Sequence, residues 1–459
     1  MGSKHRGVAP AQRAAPRRYG ELGMAVAGLL SAIALIRMFS LFSQLPSRAT
    51  QVDYSVYYLS GYLLLQGANP YTADLNRLAT LFDMDTLGIP RATDPPTFLA
   101  MFEPLAMLGP RESYWTWQAL NALALAVSLW MLLGRGSGIR PDVGIALAAL
   151  AVMYPAVLNH FYYGQNKVQV LLLLVITMQL LESRRDAAAG LVLALAGLMR
   201  IFPLLLLGYL LIRRRWRAIA FTGIGLVGGL LATGVVIGFP VELSCLKGID
   251  VLTGTQWLHY NTNIALGSFV SRLYWAWFGV DPGAGIETLR HATIVVAWLG
   301  MLGLACLATL RSAAAEDRDS RVFGLWVATG IALSPTAWIH YMVLLFIPFA
   351  RISSAAGRGD ADRRTIGWAI ASYALLAAGC PWGCVDVSGE LFYMLASSAG
   401  IHIEGIIVQT ATVSLLLGWA AAFVFAMSGD VSEARSIRAS ASISAQVDVP
   451  QTKQRRRKR

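Results

Sequence analysis

The sequence predicts an all-α fold: a polytopic membrane bundle of about 12 transmembrane helices, with interfacial helices in its first outer loop. Three observations predict it. Of the 459 residues only 14% are charged and 56% are hydrophobic, whereas a soluble domain carries about 25% charged residues. The apolar residues fall in blocks of about 17–22, the length that crosses the hydrocarbon core of a bilayer. Every second connection between blocks is basic, as the positive-inside rule requires. Together these exclude a collagen, a disulfide scaffold, a disordered chain and a soluble multidomain enzyme. The net charge of +12 follows from topology, so no nucleic-acid partner is expected.

Residues 1–20 form a basic leader with Lys4, Arg6, Arg13, Arg17 and Arg18. The apolar stretch behind it, 21–43, is long enough to span, so the pair reads as a signal anchor. A bundle domain over 21–427 follows, and 428–459 is a basic tail of disordered character ending in RRRKR, suited to anionic lipid. The other spans are placed at 113–134, 142–158, 168–182, 187–199, 201–212, 218–239, 292–310, 322–334, 341–350, 366–380 and 406–427. Arg135 and Arg140, Arg184 and Arg185, Arg213 to Arg217, Arg311 to Arg321, and Arg351 to Arg364 fall on one face with both termini. That face is cytoplasmic, and the protein is a multi-pass protein of the plasma membrane. Of four cysteines, Cys306 lies within a span, while Cys380 and Cys384 in CPWGC sit at an outer helix end where a disulfide can form. No spacing suggests a metal site.

The outer connections, 44–112 and 240–291, are long, and loops of that length are usually functional. Just after span 1, VDYSVYYLSGYLLLQGANPY (52–71) carries Asp53, Tyr54, Tyr57, Tyr58 and Tyr62 ahead of Gly67, Asn69 and Pro70. Its apolar stripe from Val56 to Leu65 is too short to span and predicts a helix in the interface, tyrosines at headgroup depth. By composition alone Asp53 reads first as the N-cap of that helix. PPTFLAMFEPLAML (95–108) predicts a second interfacial element, and Asp94 before the two prolines reads as a turn residue. Asn159, His160, Tyr162, Gly164, Gln165, Asn166 and Lys167 make a polar hairpin between spans. Arg200 in MRIFP separates two apolar spans. It is either a snorkelling side chain or an anion site, since a guanidinium matches phosphate geometry. HYNTNIALGSFVSR (259–272) offers His259, Asn261, Asn263, Ser268 and Arg272 to hydroxyl-rich or phosphate ligands. SPTAWIHY (334–341) breaks an apolar stretch at Pro335 and presents Trp338, suited to stacking on a sugar, and His340.

In order and spacing these motifs resemble glycosyltransferase family 87 of the GT-C superfamily, whose members include polyprenyl-phosphate-mannose-dependent α-mannosyltransferases. The resemblance rests on Asp53 with Tyr57 and Tyr58; Gly67 with Pro70 and Tyr71; Pro95–Pro96 with Pro104–Leu105; Gly164–Gln165–Asn166; Arg200 with Pro203 and the basic RRRWR; Asn263 with Leu266, Gly267 and Arg272; and Ser334–Pro335 with Trp338 and His340. It covers residues 20–350. Arg200 stands where lysine is common, and Tyr341 where a second histidine is frequent. The resemblance implies a GT-C fold and metal-independent inverting transfer without a cofactor. The sugar, mannose by family, passes from a polyprenyl-phosphate donor to a lipid or glycan acceptor on the extracytoplasmic face. It implies Asp53 as general base, with Arg200, Lys167, Arg272 and His340 holding the donor phosphate. Tyr57, Tyr58, Gln165, Asn166, Asn263 and Trp338 then line the sugar and acceptor pocket. No Gly-rich nucleotide loop or DxD-type pair lies on the cytoplasmic side, which disfavours direct use of a nucleotide sugar. A transporter or flippase of lipid-linked sugars is the alternative, as is transfer of another sugar such as arabinose. Polar residues gathered at one face, rather than at the midplane, favour the transferase.

Overall fold

In the computed structural model the described residues are 16–45, 53–84, 86, 91–134, 137–253, 263–278, 283–312, 319–379 and 403–428. Cys380, Cys384, His259, Asn261 and the RRRKR tail lie outside them. Among the described residues the regular structure is helical, apart from an isolated bridge between Asn263 and Trp338. The chain runs α1 (Pro16–Gln44), α2 (Asp53–Leu65), α3 (Leu75–Leu81), α4 (Pro96–Ala100), α5 (Glu103–Ala106), α6 (Pro110–Leu133), α7 (Pro141–Met153), α8 (Pro155–Tyr163), α9 (Lys167–Glu182) and α10 (Asp186–Met199). A 3₁₀ turn, Phe202–Leu205, leads into α11 (Leu206–Ile212), then α12 (Trp216–Ile237), α13 (Phe239–Thr253), α14 (Leu266–Phe278), α15 (Ala284–Arg311) and α16 (Asp319–Leu333). A second 3₁₀ stretch, Ile339–Leu345, continues as α17 (Phe346–Arg358), followed by α18 (Arg363–Gly379) and α19 (Ile403–Met427).

Among the described residues six helical segments are long and apolar enough to cross a membrane: Glu21–Gln44, Pro110–Leu133, Trp216–Ile237, Ala284–Arg311, Ile339–Arg358 and Thr410–Met427. α7 and α8 make a seventh if counted as one span bent by 50°. With α10, α11 and α16 as shorter apolar helices, the described residues bear out a polytopic helical bundle but not a count of twelve spans. The bend in the 142–158 stretch has a local cause. Pro155 forces Tyr154 into extended backbone (φ −62, ψ 131) and opens α8 as its first residue.

α8 ends at Gly164, which is left-handed (φ 63, ψ 38). A Cβ there would lie 2.8 Å from the Cβ of Tyr54. Glycine is therefore needed both for the turn and for the approach of the Gly164–Gln165–Asn166 loop to α2. α2 forms where the stripe predicts it, and Tyr54, Tyr57 and Tyr58 are buried against the protein. Tyr57 meets Phe98 and Phe102 with ring centroids 4.9 and 5.3 Å apart, and Tyr54 meets Tyr114 at 5.0 Å. Packing α2 under α4, α5 and α6 removes these rings from solvent, and their hydroxyls keep partners: Tyr54 donates to Ser113, Tyr58 to the Leu108 carbonyl. The long polar-aromatic loop thus folds into a cap over one end of the bundle.

Candidate active site

Three chain segments bring polar side chains together beneath that cap. The first turn of α2 supplies Asp53 and, one turn on, Tyr57. The connection from α8 to α9 supplies Gln165, Asn166 and Lys167, all buried. The end of α10 supplies Arg200, whose extended backbone (φ −154, ψ 135) stops the helix before Pro203.

Gln165 is the hub. Its Nε2 donates to Asp53 Oδ2, while its Oε1 accepts from Tyr57 Oη at 2.9 Å and Lys167 Nζ at 3.2 Å. Lys167 also donates to Asn166 Oδ1 at 2.8 Å and rests 4.5 Å from the centroid of the Tyr341 ring. Arg200 does not snorkel outward. Its Nη2 lies 2.6 Å from Asp94 Oδ1 and donates to Tyr57 Oη at 3.0 Å, and its Nε donates to Asn166 Oδ1 at 3.1 Å. Asp94 is held in turn by its backbone, where the carbonyl accepts from Tyr71 Oη at 2.7 Å. Two carboxylates and two cations therefore share one buried network.

Asp53 also meets the chemistry of a base. Burial first, and the Asp94 carboxylate second, push its carboxyl up to about 6; the Gln165 hydrogen bond and the charges of Lys167 and Arg200 limit the rise. A carboxylate of that strength accepts a proton near neutrality.

His340 and His160 stand behind Lys167, close enough to interact electrostatically with it and with each other. His340 Nδ1 pairs with Asn159 Oδ1 at 3.0 Å. His340 Nε2, both nitrogens of His160 and Asn166 Nδ2 are buried without a hydrogen-bond partner among the described residues. Such atoms are uncommon in protein interiors and concentrate at sites that bind something polar.

The remaining expected residues are placed differently. Tyr58 points to the Leu108 carbonyl. Asn263 and Trp338 pair through their backbones, and the Asn263 side chain donates to the Pro335 carbonyl and accepts from the Ala265 and Ala337 amides. They clip the 263–265 segment to 335–338. Arg272 is buried and donates to the Asn263 carbonyl, Ser268 and Thr412, which makes it an anchor of the same clip. Asp94, read from sequence as a turn residue, and Tyr341 instead belong to the central network. The two prolines after Asp94, which cannot continue a strand or helix interior, were the only hint that its backbone is fixed.

Arg200 and Tyr341 also line the inner end of a groove of about 970 Å³. Its walls are apolar, with Leu198, Leu204, Leu226, Leu230 and Leu333, and Ile201, Leu243 and Leu246 are exposed at its rim. A cationic head over an apolar trough fits a ligand with an anionic group on a hydrocarbon chain.

The family model for glycosyltransferase family 87 matches residues 93–335, more than half of the chain. Two curated relatives are similar, each described as a polyprenol-phosphate-mannose-dependent alpha-(1-2)-phosphatidylinositol pentamannoside mannosyltransferase. The one from Mycolicibacterium smegmatis is 24% identical over 340 residues, covering 72% of this chain and 76% of the relative. The one from Mycobacterium tuberculosis is 25% identical over 345 residues, covering 72% and 73%. No solved structure matches significantly.

Proposed function

The chain belongs to glycosyltransferase family 87 and is a membrane glycosyltransferase, and from that premise we propose that it transfers mannose from a polyprenyl-phosphate donor to a hydroxyl of a lipid or glycan acceptor. The acceptor hydroxyl attacks the anomeric carbon on the face opposite the phosphate, and its proton passes to Asp53. The bond from the anomeric carbon to the phosphate oxygen breaks, and polyprenyl phosphate leaves with the electron pair. Inversion follows, with no metal in the scheme. Arg200 and Lys167 offset the charge that grows on the leaving phosphate, an electrostatic role worth a few kcal/mol in such sites. Gln165 orients Asp53, and the groove takes the prenyl chain.

One observation carries this reading. A groove that joins an apolar trough to the cationic network ends at Arg200, which is linked to Asp53 through Tyr57 and Gln165. The names of both relatives support the donor class. The site faces the extracytoplasmic side, because the basic connections lie at the other end of the bundle.

The test is a transfer assay. Purified protein in lipid is given radiolabelled polyprenyl-phosphate-mannose and an acceptor extract, with Asp53→Asn beside wild type. Label should enter a new product with wild type alone. Transfer by both proteins would remove Asp53 as base. Absence of transfer together with donor movement between leaflets would replace the transferase by a flippase.

A further inference from the structure

The groove that ends at Arg200 changes character with depth, and α12 gives the scale. Gly225 of α12 packs on Ala194 of α10, and Gly229 on Leu198. The two helices therefore run side by side in the same direction, and Arg200, two residues past Leu198, stands level with Leu231. At or below that level α12 lines the groove with Leu226 and Leu230. Above it, toward the cap, come Thr233 and Gly234, and there the groove takes polar side chains from two other helices, Thr97 of α4 and Glu242 of α13.

Contacts on both sides fix this upper wall. The hydroxyls of Thr97 and Thr233 bond each other at 2.9 Å. A Cβ on the neighbouring Gly234 would stand 2.6 Å from Glu242 Oε2, so the absence of a side chain there admits the carboxylate. α13 is tied to the cap as well. Asn69 Nδ2 donates to Ser244 Oγ at 2.9 Å, and Cys245, three residues past Glu242, touches Tyr71, whose hydroxyl donates to the Asp94 carbonyl.

Glu242 itself is unsatisfied. Neither carboxylate oxygen has a hydrogen-bond partner among the described residues, and Oε1 is buried. An acidic residue in the first turn of a helix favours the helix start, but that role does not require an oxygen withdrawn from water with nothing to accept from. Such an atom carries a desolvation cost that a ligand's donor removes. An ionised carboxylate only accepts, so neither a phosphate nor a hydrocarbon chain suits it. Gly234 lies three residues beyond the level of Arg200, ~4.5 Å further toward the cap. That is about the width of one pyranose ring.

We propose that Glu242 is a specificity-determining residue that accepts a hydrogen bond from a ring hydroxyl of the donor's sugar. The inference rests on the groove being the donor site. In a polyprenyl-phosphate sugar the hydroxyls are on the sugar, one ring away from the phosphate that Arg200 holds, and the prenyl chain runs the other way along Leu226 and Leu230.

The test is equilibrium binding, which needs no turnover. The full chain in nanodiscs of zwitterionic lipid is titrated with polyprenyl-phosphate-mannose and with polyprenyl methyl phosphate, a diester of the same charge without the sugar. Wild type should bind the mannosyl lipid more tightly. Glu242→Ala should lose roughly 10- to 100-fold in affinity for the mannosyl lipid, the factor carried by one hydrogen bond to a charged group, and none for the methyl ester. Glu242→Gln, isosteric and still an acceptor, should fall between. Arg200→Ala should weaken both lipids alike. Equal affinity of wild type for the two lipids, or Glu242 variants that lose both equally or lose neither, overturns the role of Glu242 while the donor groove stands. Wild-type affinity for both lipids in Arg200→Ala removes the donor groove, and the inference with it.

Discussion

Asp53 and Arg200 carry opposite charges into one network, and each explains the state of the other. For Asp53 to accept a proton it must first be ionised, so transfer should rise with pH through about 6 and level off above it. A pH profile of kcat/KM checks this, and a flat profile between pH 5 and 8 would dissociate the reaction from Asp53. Asp53→Asn should lower turnover by about 10²- to 10⁴-fold with donor affinity nearly unchanged. Asp94→Asn removes the second cause of the raised value, so the acid limb should move to lower pH; a limb that stays in place would show that Asp94 serves only Arg200. Arginine in place of lysine is explained by geometry. The fork reaches Asp94, Tyr57 and Asn166 at once, which a single ammonium cannot span so rigidly. Tyr341 likewise gives Lys167 an aromatic seat. At this scale the sequence showed Asp53, Gln165, Asn166, Lys167 and Arg200 as polar residues in apolar surroundings. It could not show Asp94, because a carboxylate before two prolines has a sufficient local explanation and its partner lies in a distant helix.

Among the elements, the α8–α9 connection matters most, since it carries the hub. Gly164→Ala would add a Cβ at positive φ, 2.8 Å from Tyr54. We expect a loss of roughly 1–3 kcal/mol in stability, with lower turnover as Gln165 shifts off Asp53. Gly357→Ala is the control, a helical glycine with open space around it, and should be neutral or slightly stabilising. Thermal unfolding and the transfer assay on both variants decide. The hairpin and the α2 helix were legible because periodicity acts locally, whereas the Pro155 break was missed inside what reads as one span over 142–158. The clip that joins Asn263 to 335–338 was not. The Asn263 side chain is engaged by the Pro335 carbonyl and the Ala265 and Ala337 amides, groups brought together only by the tertiary fold.

For the whole molecule, apolar blocks revealed the class, but not which blocks cross. Short helices packed inside the bundle, such as α9 with its buried Val168, Leu171, Leu174 and Val175, satisfy apolar side chains against protein and need no bilayer length. The orientation is testable by labelling. In intact cells a membrane-impermeant maleimide should modify Thr72→Cys, beside the cap, and should reach Arg363→Cys only after permeabilisation. The reverse pattern would invert the protein. The groove that ends at Arg200 has a kinetic consequence. If the groove takes the prenyl chain as proposed, its exposed apolar rim of Ile201, Leu243 and Leu246 opens to hydrocarbon, the encounter with the donor is two-dimensional, and the quantity that saturates the enzyme is the mole fraction of donor in the surface, not its molarity. Adding inert phospholipid at fixed total substrate should therefore slow the reaction by surface dilution, while diluting the whole suspension with buffer should leave the rate per enzyme unchanged.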